Sequence, residues 1–212
     1  SIYEREMRLG GKVSLAAKAP GKGEFINLIS FYEDQLPRLG VEIHLNHCIS
    51  AGEIVDLAPD FVIVATGSMP AVPTFPVKAP ELIASAEDVL RGTYVPGEKT
   101  VVVGGGSVGC ETALYIARKG RPQPETVDFL LDFDAEEPEK VRKLQQGEAG
   151  RVALVELQKD LARDMGVTTR WIVLGNLRRA NIKIFSPYRV MEVNGEGLII
   201  ENSSGPVIIP AE

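Results

Sequence analysis

The fifteen residues from Lys99 to Ala113, KTVVVGGGSVGCETA, restrict this chain more than any other part of its 212. Val101, Val102 and Val103 form a β-branched run suited to an interior strand. Gly104, Gly105 and Gly106 follow at once, and Gly109 completes the spacing G-x-G-x-x-G with Gly104 and Gly106. From Ser107 to Lys119 the only helix breaker is Gly109, and Val108, Thr112, Tyr115 and Ile116 recur at helical spacing before Gly120. The order is therefore strand, tight glycine turn, helix. The first glycine permits the turn, the second removes a Cβ where an anion approaches, and the third lets the helix pack on the strand. The first amides of the helix lack intrahelical acceptors and carry the positive end of its dipole, so they favour phosphate. Gly104, Gly105, Gly106, Ser107, Val108 and Gly109 are thus candidate residues for a dinucleotide pyrophosphate. A purely structural glycine turn is the alternative.

A dinucleotide site of this kind needs an acidic residue at the end of the next strand, to accept hydrogen bonds from the adenosine ribose. No acidic residue closes a convincing strand at the usual distance of about 20 residues. Residues 121–150, RPQPETVDFLLDFDAEEPEKVRKLQQGEAG, form a polar, acidic excursion, and the next strand-like run is Arg151 to Glu156, RVALVE. Glu156 is read as the ribose carboxylate, with the excursion as an insertion; a solvated glutamate at a strand end is the other reading. A carboxylate there accepts two ribose hydroxyls and repels a 2′-phosphate, which selects NADH over NADPH. Lys159 and Arg163, just downstream, offer cations that would accommodate the phosphate instead.

The formal net charge of −6 excludes a sequence-independent nucleic-acid binder, which needs a basic face. Residues 121–150 carry eight acidic and four basic side chains, which read as a solvated surface. Cys48 and Cys110 are the only cysteines and are too far apart for a redox pair or a zinc spacing. Cys110, at the helix start, is either a reactive thiol or a small packing residue. His44, His47 and Cys48 lie on or near one short strand, facing alternate sides, and no metal site follows. The start SIYEREMRLGG is charged, and no apolar run approaches the roughly 20 residues of a membrane helix. A reduced, cytoplasmic protein is expected.

Along the chain, Lys12–Ala17 reads as a strand, Glu24–Arg38 as a helix with Phe25, Leu28, Ile29, Tyr32 and Leu36 on its apolar face, and Val41–Leu45 as a strand. Asp60–Ala65 is a further apolar strand, broken by Thr66-Gly67-Ser68. Small residues at that break either admit a cofactor or another backbone closely, or make an ordinary strand exit. Ser85–Leu90 is a short helix capped by Ser85 and Asp88, and Val95–Glu98 is a linker. Thr168–Ala180 is a helix with Trp171, Leu174 and Leu177 along one side. The strands Ile182–Phe185, Tyr188–Val193, Gly197–Glu201 and Val207–Ile209 give a third parallel strand and an antiparallel meander.

The combination of LGGKVSLAAKAPGK, DFVIVATGS, SAEDVL, VVVGGGSVGCETALYIARKG and VALVE resembles the C-terminal half of NADH:flavin oxidoreductases of the 2,4-dienoyl-CoA reductase, trimethylamine dehydrogenase and clostridial enoate reductase group. The insertion and ARDMGVTTRWIVLGNLRRANIKIF look most like the enoate reductase branch. The resemblance implies an α/β fold: a Rossmann-like NAD(P)-binding domain at residues 96–212, joined to an incomplete FAD-binding domain at residues 1–95, in the glutathione-reductase-like, two-dinucleotide arrangement. It implies that Glu4, closing SIYE, is the carboxylate for the FAD ribose, that Ala65, Thr66 and Gly67 lie where the two domains meet, and that Glu111 lies near the nicotinamide ribose. A carboxylate stabilising a helix N-terminus is the simpler role for Glu111.

The same resemblance implies an excised piece, lacking a TIM barrel with FMN and an iron–sulfur cluster and the remainder of the FAD domain. Such a piece binds NADH and neither holds FAD tightly nor turns over; no catalytic residue is assigned. In the whole protein, hydride passes from NADH to FAD and electrons continue to FMN and an alkene-type acceptor. A stand-alone nucleotide-binding or NADH-sensing regulator is the competing class. An enzyme using nicotinamide alone would need an acid or base near substrate, and no such set stands out.

Overall fold

The computed structural model describes residues 1–122, 124–146 and 151–212, and separates into two compact units, Ser1–Met69 and Pro70–Glu212. This division lies upstream of the 95/96 boundary expected from the Pro96-Gly97 linker.

In the first unit two short strands, β1 (Ile2–Tyr3) and β2 (Ile43–His44), pair in parallel. Helices α1 (Gly11–Ala16) and α2 (Phe25–Arg38) connect them, and α3 (Ala51–Leu57) follows. The expected strand at Lys12–Ala17 is therefore a helix. Gly10, at φ 104, turns the chain so that its carbonyl accepts from Val13 and Ser14, and Leu15 and Ala19, four residues apart, are buried together. The strand-like composition of KVSLAA is outweighed by this turn and by the alanine-rich end. In α2 only Ile29 of the expected apolar face is buried; Phe25, Leu28 and Tyr32 remain exposed.

The expected strand at Asp60–Ala65 is also corrected. Those residues have no ladder partner among the described residues, and Phe61 and Ile63 are each 90% exposed. An apolar extended run becomes a strand only where a neighbour satisfies its backbone groups. Nor do His44 and His47 face alternate sides. Asn46, at φ 54, breaks the pleat, so that His44 stacks on Tyr3 at 4.5 Å while His47 meets the same ring edge-on at 5.2 Å.

The second unit has three layers. Its centre is the parallel sheet β3 (Thr100–Val103), β4 (Val152–Val155) and β5 (Lys183–Phe185), in that order. Helices α5 (Ser107–Arg118) and α8 (Val167–Arg179) follow β3 and β4, as βαβ crossovers require. Strand β4 is buried at every position because its two faces serve different cores. Val152 and Leu154 pack with Cys110, Ala113, Leu114, Ala117 and Leu177 of the helices, whereas Ala153 and Val155 pack with Val193, Leu198, Ile200 and Ile209. Those last four belong to the antiparallel meander β6 (Arg189–Asn194), β7 (Gly197–Asn202) and β8 (Gly205–Ile209). Val108, expected among the inward residues of α5, is 61% exposed, and Trp171 on α8 is 68% exposed.

Helix α4 (Ala86–Arg91) carries the expected cap: the Ser85 hydroxyl accepts from the Asp88 amide at 3.1 Å and donates to the Asp88 carboxylate at 2.6 Å. The insertion forms two helices, α6 (Pro124–Asp132) and α7 (Pro138–Gln146), where the sequence suggested only solvated chain. Val127 and Val141 are their buried residues. Arg121 ties them to the domain by donating to the carbonyls of Gln145 at 2.7 Å and Ala180 at 3.2 Å. Gln123 and residues 147–150 of the insertion lie outside the described residues.

Candidate functional site

The glycine turn leaves β3 at the carboxyl edge of the parallel sheet, where open α/β folds place their ligands. Gly104 stands at φ +99, a conformation that side chains disfavour, and its amide donates to the Val155 carbonyl at 2.8 Å, one residue beyond the β3–β4 ladder. Gly109 lies against the Gly104 carbonyl so closely that a Cβ there would collide with it. The turn therefore folds back on the first turn of α5, and its two outer glycines are required by geometry. With Gly106 as the residue preceding α5, the first intrahelical hydrogen bond runs from Cys110 to the Gly106 carbonyl at 2.9 Å. The amides of Ser107, Val108 and Gly109 precede it and need acceptors from elsewhere.

Glu156 follows β4 directly, and its own backbone is fixed on both sides: its amide donates to the Phe185 carbonyl at 2.9 Å and its carbonyl accepts from Tyr188 at 2.8 Å. The half-buried side chain crosses to the turn. One carboxylate oxygen accepts from the Gly105 amide at 2.6 Å and the other from the Gln158 amide at 2.7 Å. Long-range hydrogen bonding thus places an acidic group on the glycine turn across a sequence separation of 51 from Gly105 to Glu156.

Sequence reasoning missed a second carboxylate. Asp164 reaches the start of α5, where both its oxygens lie at 2.9 and 3.0 Å from the Ser107 amide and one accepts from the Ser107 hydroxyl at 2.6 Å. These Ser107 hydrogen bonds, side chain first and backbone second, hold the Asp164 carboxyl below the usual aspartate range. The backbone just before it is also docked, since the Ala162 amide donates to the Gly105 carbonyl at 2.7 Å and Leu161 and Ala162 are buried. Ala162 has φ 53, a left-handed conformation unusual for alanine, at this docked point of the loop. The capping preference of aspartate was the available signal, but its target lies 57 residues away.

The thiol of Cys110 is fully buried and donates to the Gly105 carbonyl at 3.3 Å. Burial foremost, then the charges of Asp164, Glu111 and Glu156, push it up to about 11, so it is a packing residue and not a nucleophile at neutral pH. Glu111 is half-buried at the fifth position of α5, past the first turn, which holds no acidic residue. Lys159 is exposed, and the Arg163 guanidinium is engaged with the Gln158 side-chain oxygen.

The first unit holds the remaining candidates. Glu4 follows β1, where one of its oxygens accepts from the Glu6 amide at 2.9 Å. Ala65, Thr66 and Gly67 are exposed, with Gly67 at φ 76 marking the expected break. Among the described residues no cluster of His, Cys, Asp or Glu could hold a metal ion, and no helix is long and apolar enough to cross a membrane.

Residues 42–208 match the family model for pyridine nucleotide-disulphide oxidoreductases. The chain belongs to that family. Over its full length the chain is 33% identical to a metal reductase of Desulforamulus reducens, covering 32% of that protein. It is 38% identical to a cinnamate reductase of Clostridium sporogenes over 57% of the chain, which covers 18% of the relative. The fold matches that of a solved 2-naphthoyl-CoA reductase with a TM-score of 0.78 and 24% identity, over 99% of the chain and 28% of the solved protein. The chain thus spans about a third or less of the length of these relatives.

Proposed function

We propose that residues 96–212 form an NADH-binding domain, with the pyrophosphate at the start of α5 and Glu156 holding the adenosine ribose. The carrying observation is the convergence of Glu156, the Gly105 amide and the helix N-terminus at one sheet edge, with 2.6 Å between the carboxylate and that amide. The residues fit the group: the turn is held open by glycine, the helix offers amides for the phosphates, and the carboxylate can accept from two hydroxyls. Ser107, Val108 and Gly109 supply amides, and Glu111 stands near the nicotinamide ribose.

Residues 1–95 are proposed as part of an FAD-binding domain, with Glu4 accepting from the FAD ribose and the small residues Ala65, Thr66 and Gly67 allowing close approach of a cofactor. The exposed run Phe61–Val64 supports this, because it has the composition of an interior strand and lacks strand neighbours among the described residues. In the whole protein bound NADH would give a hydride to FAD, and electrons would then pass through an iron–sulfur cluster to FMN and an alkene-type acceptor. The reductase relatives support that class of reaction, and the 212-residue chain alone binds NADH without turnover.

Calorimetric titration of the 212-residue chain with NADH tests the reading. A saturable heat, displaced by ADP-ribose, is expected. The absence of any signal at millimolar NADH would refute it.

A further inference from the structure

The first amide of a dinucleotide-binding helix is the natural seat of a phosphate, because it combines an unsatisfied donor with the positive end of the helix dipole. Here that seat holds an anion from the chain itself. The two Asp164 oxygens lie at 2.9 and 3.0 Å from the Ser107 amide, and 3.4 and 3.5 Å from where a Cβ on Gly106 would stand. The carboxylate therefore borders, at van der Waals distance, the space that the missing side chain at the middle glycine leaves for a ligand. The Ser107 hydroxyl donates to the same carboxylate at 2.6 Å.

A pyrophosphate oxygen and the Asp164 carboxylate cannot both accept from one amide, and two anions so close repel each other. One must leave. Asp164 is able to do so: it is exposed, whereas Leu161 and Ala162, two and three residues earlier, are buried and anchored through the Ala162 amide on the Gly105 carbonyl. Arg170 fixes the same anchor by donating to the Leu161 carbonyl at 2.9 Å. The anchored part of the loop can stay in place while Asp164 moves. Glu156, by contrast, bonds Gly105 and Gln158 and leaves the Ser107 amide alone.

We propose that Asp164 is a built-in competitor for the dinucleotide pyrophosphate, seated on Ser107 when no nucleotide is present and displaced when one binds, so that it sets the affinity of the site. This rests on the reading of the turn as the NADH pyrophosphate seat. The energy that holds the carboxylate is subtracted from nucleotide binding, in the same way that a partly populated binding-competent state weakens an observed affinity. A carboxylate at an exposed helix N-terminus has an effect worth about two- to fivefold in an equilibrium constant.

The test uses the 212-residue chain with Asp164→Asn and Asp164→Ala, titrated calorimetrically with NADH, ADP-ribose and adenosine. Both variants should bind NADH and ADP-ribose about two- to fivefold more tightly than the parent, with adenosine, which has no phosphate, unchanged. Parent binding that the variants leave unchanged or weaken overturns the competitor role and leaves the NADH reading intact. Equal tightening of adenosine also overturns it, since that would report a general loosening of the loop. If neither parent nor variants bind NADH at millimolar concentration, the NADH reading fails and the competitor role with it. Asparagine preserves the shape and one acceptor oxygen, so unfolding of that variant, read by near-ultraviolet circular dichroism, would mark Asp164 as an indispensable cap and refute displacement.

Discussion

Glu156→Gln separates the two tasks that the site gives to one carboxylate. In the structure its oxygens accept from different backbone amides, Gly105 at 2.6 Å and Gln158 at 2.7 Å. A glutamine offers one acceptor oxygen and an NH2 group, so one of the two amides must face another donor. An unsatisfied donor of this kind costs about 1–3 kcal/mol, and the half-burial of Glu156 places the change in the lower part, about 1–2 kcal/mol. At about 2–4 °C per kcal/mol for a chain of this size, thermal unfolding should move down by about 2–8 °C. Binding should respond separately. The neutral amide serves one ribose hydroxyl where the carboxylate served two, which costs about 1.5 kcal/mol, or about tenfold, for NADH. NADPH should lose less, because the charge that repels its 2′-phosphate is gone. Circular dichroism melts and paired NADH and NADPH titrations read the two effects. A lower melting temperature with unchanged NADH affinity would refute the ribose role, and unchanged stability would refute the strapping of the turn.

Two further outcomes follow from displaced ionisations. Cys110, pushed up to about 11, is a protonated and inaccessible thiol at pH 8, whereas Cys48 is exposed, so a chromogenic disulfide reagent should titrate one thiol in the native chain and two in urea. Glu53 closes a capping box on α3, and the backbone hydrogen bond from Ser50 is the main reason its pKa falls from 4.5 to about 2. Because the folded value lies below the unfolded one, its contribution is complete above about pH 4.5 and disappears as the pH falls towards 2. Carboxyl-carbon NMR should find this low pKa, and Ser50→Ala should raise it; an unshifted Glu53 in the parent chain would disprove the cap.

The parts of the site legible in the sequence were those set by local chain geometry. The strand, the glycines and the helix needed only propensity and spacing, and Glu156 was singled out because VALV is an unbroken apolar run with an acid at its end, an acid that the structure sets on the Gly105 amide. Asp164 was not legible, since its role depends on a loop that folds over a turn 57 residues earlier and on Ala162 accepting φ 53. The same limit explains the errors in the first unit. Lys12–Ala17 reads like a strand, but the turn at Gly10 directs it into a helix, and Asp60–Ala65 has the composition of a strand without a ladder to join. The insertion hid its helices because, among the described residues, each commits one valine, Val127 or Val141, to full burial, too weak a signal against so many charges.

Strand β4 is clamped from above and below, with Leu154 and Val155 almost without solvent contact on opposite sides. Such a strand behaves as a fixed axle: neither layer can drift without dragging the residue at its tip. A substitution at the wholly buried Ile200 of the meander would then reach Glu156 through β4, and on the proposed reading of Glu156 it would alter nucleotide preference from the far side of the sheet.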